Sequence, residues 1–367
     1  MRTRDHYFKR EATVANSDTV IIDLNIREPI SFLSVEYEAT NGATSCIDIE
    51  PHDDVDKIEI VDGSDVLWSL SGVETLAANW FEMGQMPHAK LSEDAAAVQE
   101  ESFYLNFGRF HNDPEFYFDP TRFRNPQLRL THSLAISATA GFATGTGKVT
   151  VMARVIEEGA SPYRGFLGWK EKYSWTSAAS GDELIELPRD LPYRLAVVKA
   201  LLTTYRPDEV ISKLKLSCDA DKFRPFDTYT EDLMDLNERM WGKAQQDKTI
   251  LSADDGTALL DLYDIRKGTV YSTYDDQIAT VEALDAEQVS VGLYNMATPT
   301  SPALQATARA LKLWVEGICP SGCVALPFGD PMIPESWFDP TPFGTVELYA
   351  TQAAAGACAV MLQQLRV

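Results

Sequence analysis

The sequence predicts an all-β chain built from two tandem β-sandwiches, each with a short capped helix. Three observations carry this expectation. Apolar residues alternate with polar ones along most of the chain, a Phe-Asp-Pro-Thr-x-Phe motif occurs twice, and a helix pattern precedes each copy of the motif. The 367 residues, 45% hydrophobic and 24% charged, have an ordinary globular balance. At ~150 residues per domain they suffice for two or three cores.

Strands come first. Val20, Ile22, Leu24 and Ile26 alternate with Ile21, Asp23, Asn25 and Arg27. The same period recurs at 128–136, 149–155, 214–218, 289–293, 311–315 and 346–350. A period of two turns one face to a core and the other to water, as in antiparallel sheets. Many short strands separated by Gly, Pro, Asn and Asp point to sandwiches or barrels.

Two helices interrupt them. Ser71-Gly-Val-Glu74 reads as a capping box, with Leu76, Trp80 and Met83 on one face and Gly84 as the stop. Thr228-Tyr-Thr-Glu231 reads as a second box, with Leu233, Leu236 and Met240 on one face and a stop at Gly242. Each helix follows a strand and an acidic turn: Ile58-Glu-Ile60 with Asp62–Asp65, and Leu214-Lys-Leu216 with Asp219–Asp221.

The motif then completes a repeat. Phe107-Gly108 leads to Phe118-Asp-Pro-Thr-Arg-Phe123 and a strand at Leu128; Phe328-Gly329 leads to Phe338-Asp-Pro-Thr-Pro-Phe343 and a strand at Val346. Two copies of one fold explain the shared order. Gly84 and Phe107 are separated by 22 residues, Gly242 and Phe328 by 85, so the second copy carries 63 more. Such an insertion is expected to project as a small subdomain. The expected division is a basic arm at 1–14, a first sandwich at 15–160, a linker at 161–182 and a second sandwich at 183–367. The insertion falls at about 243–327, and Phe166, Trp169, Tyr173 and Trp175 suggest that the linker is buried.

Charge narrows the function. With 32 basic and 55 acidic side chains the net charge is −23, which argues against broad nucleic-acid binding. Arg2, Arg4, Lys9 and Arg10 against Asp5 leave +3 on the first ten residues and −26 on the rest. Such an arm is expected either to be solvated or to meet something anionic: lipid headgroups, nucleic acid or an acidic neighbour. The longest uncharged stretches, 288–308 and 348–365, do not read as membrane spans; Asn295, Pro299 and Pro302 break the first. The first ten residues lack the apolar core of a secretion signal, and Cys46, Cys218, Cys319, Cys323 and Cys358 are an odd, scattered set. Free thiols and a cytosolic origin are the expectation.

With these features the chain resembles a family. The tandem repeat, the helix inside each copy, the Phe-Gly-Arg109 segment and Asp-Pro followed by Asn125-Pro-Gln-Leu128 resemble the double jelly-roll major capsid proteins of tailless icosahedral, bacteriophage-like viruses. The resemblance covers roughly residues 15–367. It implies two tandem jelly rolls and a homotrimeric, pseudo-hexameric capsomer that tiles an icosahedral virion shell without catalysis or cofactor. The implied partners are further copies of the chain, neighbouring capsomers, penton and minor capsid proteins, and internal-membrane lipids met by Arg2, Arg4, Lys9 and Arg10. The insertion would form an outward turret, and the protein would be assembled in the host cytoplasm and reside in the virion.

Enzyme signals are poor. All five histidines lie within the first 132 residues, no Gly-x-Ser-x-Gly occurs, and His132 sits on an apolar strand face where a core histidine is expected. Cys319-Pro-Ser-Gly-Cys323 supplies half a zinc site at most and reads as a turn with two thiols. Gly141–Lys148 departs from a phosphate loop in spacing, and Val149 replaces the needed Ser/Thr, so a hairpin loop is expected. Asp53, Asp54, Asp56, Asp62 and Asp65 could ligate calcium, but the ~12-residue loop pattern is missing and solvated turn acids are expected. Phe110, Phe116, Tyr117, Phe118 and Phe123 could stack on sugars, which keeps a carbohydrate-binding or carbohydrate-cleaving sandwich as the alternative. No catalytic, cofactor-binding or metal-ligating residue is assigned.

Overall fold

Period-two alternation becomes strand throughout the computed structural model, which describes residues 1–47, 49–252, 255–271, 277–295, 303–304 and 308–367. The first lobe holds β1 (Arg2–Thr13), β2 (Ser17–Asp23), β3 (Ile30–Cys46), helix α1 (Pro51–Asp54), β4 (Lys57–Asp62), β5 (Asp65–Leu70) and helix α2 (Gly72–Met83). It continues with β6 (Ala89–Ser92), β7 (Val98–Asn106), β8 (Pro126–Ser133), β9 (Ala140–Phe142) and β10 (Lys148–Glu158). The second lobe begins with β11 (Phe166–Thr176), β12 (Gly181–Glu186), β13 (Tyr193–Leu201), helix α3 (Pro207–Val210), β14 (Ile211–Cys218), β15 (Phe223–Tyr229) and helix α4 (Thr230–Trp241). Next come β16 (Ala244–Ser252), β17 (Asp255–Leu259), β18 (Leu262–Tyr271), β19 (Gln277–Asp285), β20 (Gln288–Asn295), β21 (Ala303–Leu304) and β22 (Arg309–Pro320). Strands β23 (Cys323–Pro327), β24 (Val346–Gln352) and β25 (Ala357–Arg366) return to the second lobe.

Both lobes are wound alike. The first pairs β1-β10-β3-β7 in one sheet and β2-β8-β4-β5 in the other; the second pairs β11-β25-β13-β23 and β12-β24-β14-β15. Each list follows the same order when the strands of a lobe are counted along the chain, the winding of two Greek keys closed into a sandwich. Inward-facing residues of each sheet pair form separate cores, for example Leu33, Val35, Ile58, Ile60 and Leu128 in the first lobe and Val198, Leu214, Leu216, Val346 and Leu348 in the second.

The repeat extends to single hydrogen bonds. Phe118 exchanges backbone bonds with Ile30, and Phe338 does so with Tyr193. Asp62 accepts from the backbone N–H groups of Arg124 and Asn125; Asp219 accepts from those of Gly344 and Thr345. Asn79 of α2 clamps both backbone polar groups of Tyr104, and Asn237 of α4 clamps those of Ala325. Each clamped residue lies three before a Phe-Gly, and each Asn lies five before the helix-ending glycine. Phe118 stacks on Phe123 at 4.9 Å, and Phe338 on Phe343 at 5.8 Å.

Several expectations need correction. The arm expected at 1–14 is strand β1, which runs antiparallel to β10 as the first strand of its sandwich. The linker expected at 161–182 contains β11, which pairs with β25 along its length, so the second sandwich begins near residue 166 rather than 183. Phe166 and Trp169 are buried as expected, whereas Tyr173 is exposed and Trp175 partly so. Both strands escaped the pattern for different reasons: β1 is an edge strand with polar residues on both faces, whereas β11 is a seam strand buried on both faces over Phe166–Trp169 and polar beyond. The stretch at 243–327 is not a wholly separate projection. Strands β16, β22 and β18 extend the first lobe's sheet through a parallel β6–β16 contact, β17 and β19–β21 form a smaller sheet, and β23 is a strand of the second sandwich.

The helices split. Ser71 and Glu74 form the expected box, and Gly84 closes α2 at φ 67°. The box expected at Thr228 does not form: Thr228 is held opposite Leu214 in the β14–β15 ladder, and Tyr229 occupies the N-cap. The buried stripe of α4 is Thr230, Leu233, Met234 and Asn237, while Leu236 and Met240 are exposed, as is Met83 of α2. Gly141–Lys148 links β9 to β10, yet β9 pairs with β3. Among the described residues no helix is long and apolar enough to cross a membrane; Pro299 and Pro302 lie outside the described residues.

Candidate functional site: the seam between the lobes

The seam is built where β11 crosses from one lobe to the other. It pairs with β25 on one side and meets β5 in parallel at Lys170 and Ser69 on the other, so one eight-stranded sheet runs through both lobes. Gly168 permits this approach, because a Cβ there would stand 2.7 Å from the Leu67 carbonyl oxygen. Phe166 inserts its ring against Phe107, Phe118 and Phe123 at 6.1, 5.3 and 6.1 Å. A second plug packs Phe116 on Trp337 at 5.8 Å.

Polar groups inside the seam are almost all answered. Glu82 accepts from Asn106, Trp169 and Gln363, joining α2 and β7 to β11 and β25. Arg194 of β13 donates to Gln363 and to the backbone carbonyls of Arg109 and Pro331. Lys199 meets Glu74 at 2.5 Å, and Arg109 meets Asp113 and Glu115 at 2.7 and 2.6 Å. Paired in this way, the buried charges fix how the lobes sit against each other.

A second cluster ties the insertion to the first lobe. His52 of α1 lies between Glu101 (Nδ1, 2.9 Å) and Asp261 (Nε2, 3.1 Å), while Lys248 of β16 lies 2.6 Å from Glu50 and 3.5 Å from Glu93. Glu50, His52 and Asp261 bring one ligand atom each within 4.8 Å of one another, so this trio could hold a divalent cation. In the structure His52 and Lys248 supply the compensating charge. Sequence reading missed the trio because Asp261 lies about two hundred residues from Glu50 and His52 along the chain.

Burial pushes Asp54 and Glu82 up to about 7 and Glu50 up to about 8. Between their ordinary values and these, the folded state holds protons that the unfolded chain releases, so their contribution falls as pH rises. His52 is buried too, but Asp261 and Glu101 hold it well above 6.5; its contribution is complete below 6.5 and is lost as pH climbs through the folded value. Asp261 opposes this on the acid side: despite burial, His52 and Lys248 hold it down to about 2, so its contribution disappears only as pH falls toward that value. The melting temperature should therefore peak at about pH 4–4.5, fall from there as the raised carboxyls ionise, and continue to drop toward pH 8.5. A flat or rising melting curve over that interval would contradict the assignment.

The residues weighed from sequence scatter. Asp53 caps the Glu50 N–H, Asp54 accepts from Ala135, Asp62 holds Arg124 and Asn125, and Asp65 faces Arg366. His132 is buried beside the Tyr37 hydroxyl. Cys319 and Cys323 are buried free thiols, with Cys319 one residue before the end of β22 and Cys323 opening β23. Burial pushes both thiols up, away from the thiolate. Phe116, Tyr117 and Phe118 are buried and Phe123 is partly covered, leaving Phe110 as the exposed ring of that set.

Known structures share the fold along nearly their whole length. The major capsid protein of STIV covers 99% of this chain with 96% of its own, at 10% identity and a TM-score of 0.59. The chain has the double jelly-roll fold of viral major capsid proteins. Major capsid protein P2 from bacteriophage PM2 matches 100% of the chain with 98% of its own, at 7% identity and a TM-score of 0.55. VP54 of PBCV-1 matches 99% with 93% of its own, at 9% identity and a TM-score of 0.60. No family model matches the chain, and no curated protein matches its sequence. In double jelly-roll terms β1 and β11 are equivalent first strands, and the seam is the junction of the two jelly rolls.

Proposed function

We propose that this chain is the major capsid protein of a tailless icosahedral virus. Three copies form a capsomer whose six lobes give a nearly hexagonal footprint, so that a threefold assembly tiles a lattice. The observation that carries the reading is the side-by-side union of two equivalent jelly rolls through one sheet and a locked seam, in a chain that matches capsid proteins from end to end. The protein's shape then performs the work, without catalysis. Its partners are further copies of itself and, at special positions of a shell, penton and minor capsid proteins; its place is the virion, after assembly in the host cytoplasm. Lipid contact through the first strand has weaker support, since Arg4 faces Glu28 and Glu157, and Arg2 faces Glu157. The carbohydrate reading loses its platform, because most of its candidate rings are buried.

Size-exclusion chromatography with light scattering tests the central point. A stable species at three times the 40.8 kDa chain mass is expected. A monomer at micromolar concentration that binds glycans would overturn the reading.

A further inference from the structure

The strands of the intrachain junction have counterparts at the other two lobe ends. Within the chain, the last strand of one sheet, β5, meets the first strand of the next lobe, β11, and Phe166 covers the Phe107, Phe118 and Phe123 rings. The equivalent strands of the other two lobe ends are β15 and β1, and each stands at the end of its sheet. Beside β15, the rings Phe328, Phe338 and Phe343 line an open groove of about 560 Å³, with Phe223 stacked on Phe343 at 5.6 Å and 49% exposed.

Register makes the equivalence residue by residue. Ile30 and Tyr193 hold the same bridge, and β10 and β25 pair from those points with the same one-residue bulge. Strands β1 and β11 also share a bulge, between Tyr7 and Lys9 and between Glu171 and Tyr173. Counting from these marks, His6 takes the place of Lys170, Arg2 that of Phe166 and Arg4 that of Gly168. On the receiving side, Lys215 pairs with Asp227 as Glu59 pairs with Ser69, so Asp227 takes the place of Ser69.

Charge fits the match. The first ten residues carry +3, and the segment from Asp219 to Asp232 has five acids against two bases. Arg2 and Arg4 keep Glu157 and Glu28 as partners within the chain and Asp227 keeps Lys213 and Arg224, so the match is one of net charge. An exposed edge beside an apolar groove is a surface that folded proteins normally cover.

We propose that the outer edge of β1 docks in parallel on the outer edge of β15 of a second copy. His6 then lies beside Asp227 of the partner subunit, and the Arg2 guanidinium stacks over the aromatic groove where Phe166 packs within the chain. Arg4, unlike Gly168, carries a side chain, so the strands stand further apart at that end. The contact is head-to-tail, and three such contacts close a ring. The basic first strand thus has an acidic neighbour of its own kind. This inference rests on the homotrimer reading and assigns its interface.

The test is His6→Cys combined with Asp227→Cys, oxidised and run on a non-reducing gel. Paired strands lie ~4.8 Å apart, within disulfide reach. The five native thiols are buried, so the background is low. Bands at one, two and three chain masses are expected from the double variant, and a single band from each single variant. A wild-type trimer whose double variant does not cross-link would overturn the docking and leave the trimer standing; a wild-type monomer would overturn both. A ladder running past three chains would overturn ring closure. Asp227→Lys reads the same contact without a disulfide: it should weaken the trimer about tenfold while the far-ultraviolet spectrum is unchanged, and an unaltered trimer affinity would count against the contact.

Discussion

Trp80→Ala is expected to destabilise the protein by about 3–5 kcal/mol, measured by denaturant unfolding. Trp80 is fully buried in α2, packed edge-on to Phe81 at 4.9 Å and 6.2 Å from Trp241 of α4. Truncation opens a cavity beneath the helix that positions Asn79, and with it the clamp on Tyr104 of β7. The equivalent change at Trp241 should cost clearly less, because that ring is only partly buried. Equal losses at both positions would mean that the two helices are packed alike, against the structure.

Lys248→Met should cost a similar ~3–5 kcal/mol by a different route. The ammonium is 5% exposed and lies between Glu50 and Glu93, so at a pH above about 8, where Glu50 is ionised, its removal leaves both buried carboxylates without their cation. Glu50 is already pushed up by burial to about 8, and losing Lys248 should raise it further. Adding Glu50→Gln to Lys248→Met should recover part of the loss, since the buried charge goes with its partner. A loss below about 1 kcal/mol in the single variant, or no recovery in the double, would show that the cluster does not hold the insertion to the first lobe.

Much of the architecture was legible beforehand. Alternation marked the strands facing a core, such as Val149–Val155 and Val346–Ala350, because a half-buried strand must segregate its faces. The paired Phe-Asp-Pro-Thr motifs marked equivalent places, and Phe118 and Phe338 do occupy them. The Asn79 and Asn237 clamps could have been found from their constant distance to a helix-ending glycine. Strands β1 and β11 could not be found by pattern. Edge and seam strands have no single buried face, so Arg2–Thr13 resembled a solvated basic arm.

What the sequence alone determined is the duplicated all-β plan, because period, turn chemistry and repeat are local properties of the chain. Tertiary structure alone decided where the lobes join, which acids become buried partners, and that the insertion continues the first lobe's sheet. The reason is physical. The pairing of Lys170 with Ser69, or of His52 with Asp261, depends on strand edges and charges meeting across long sequence separations, and such encounters leave no mark on either segment taken singly.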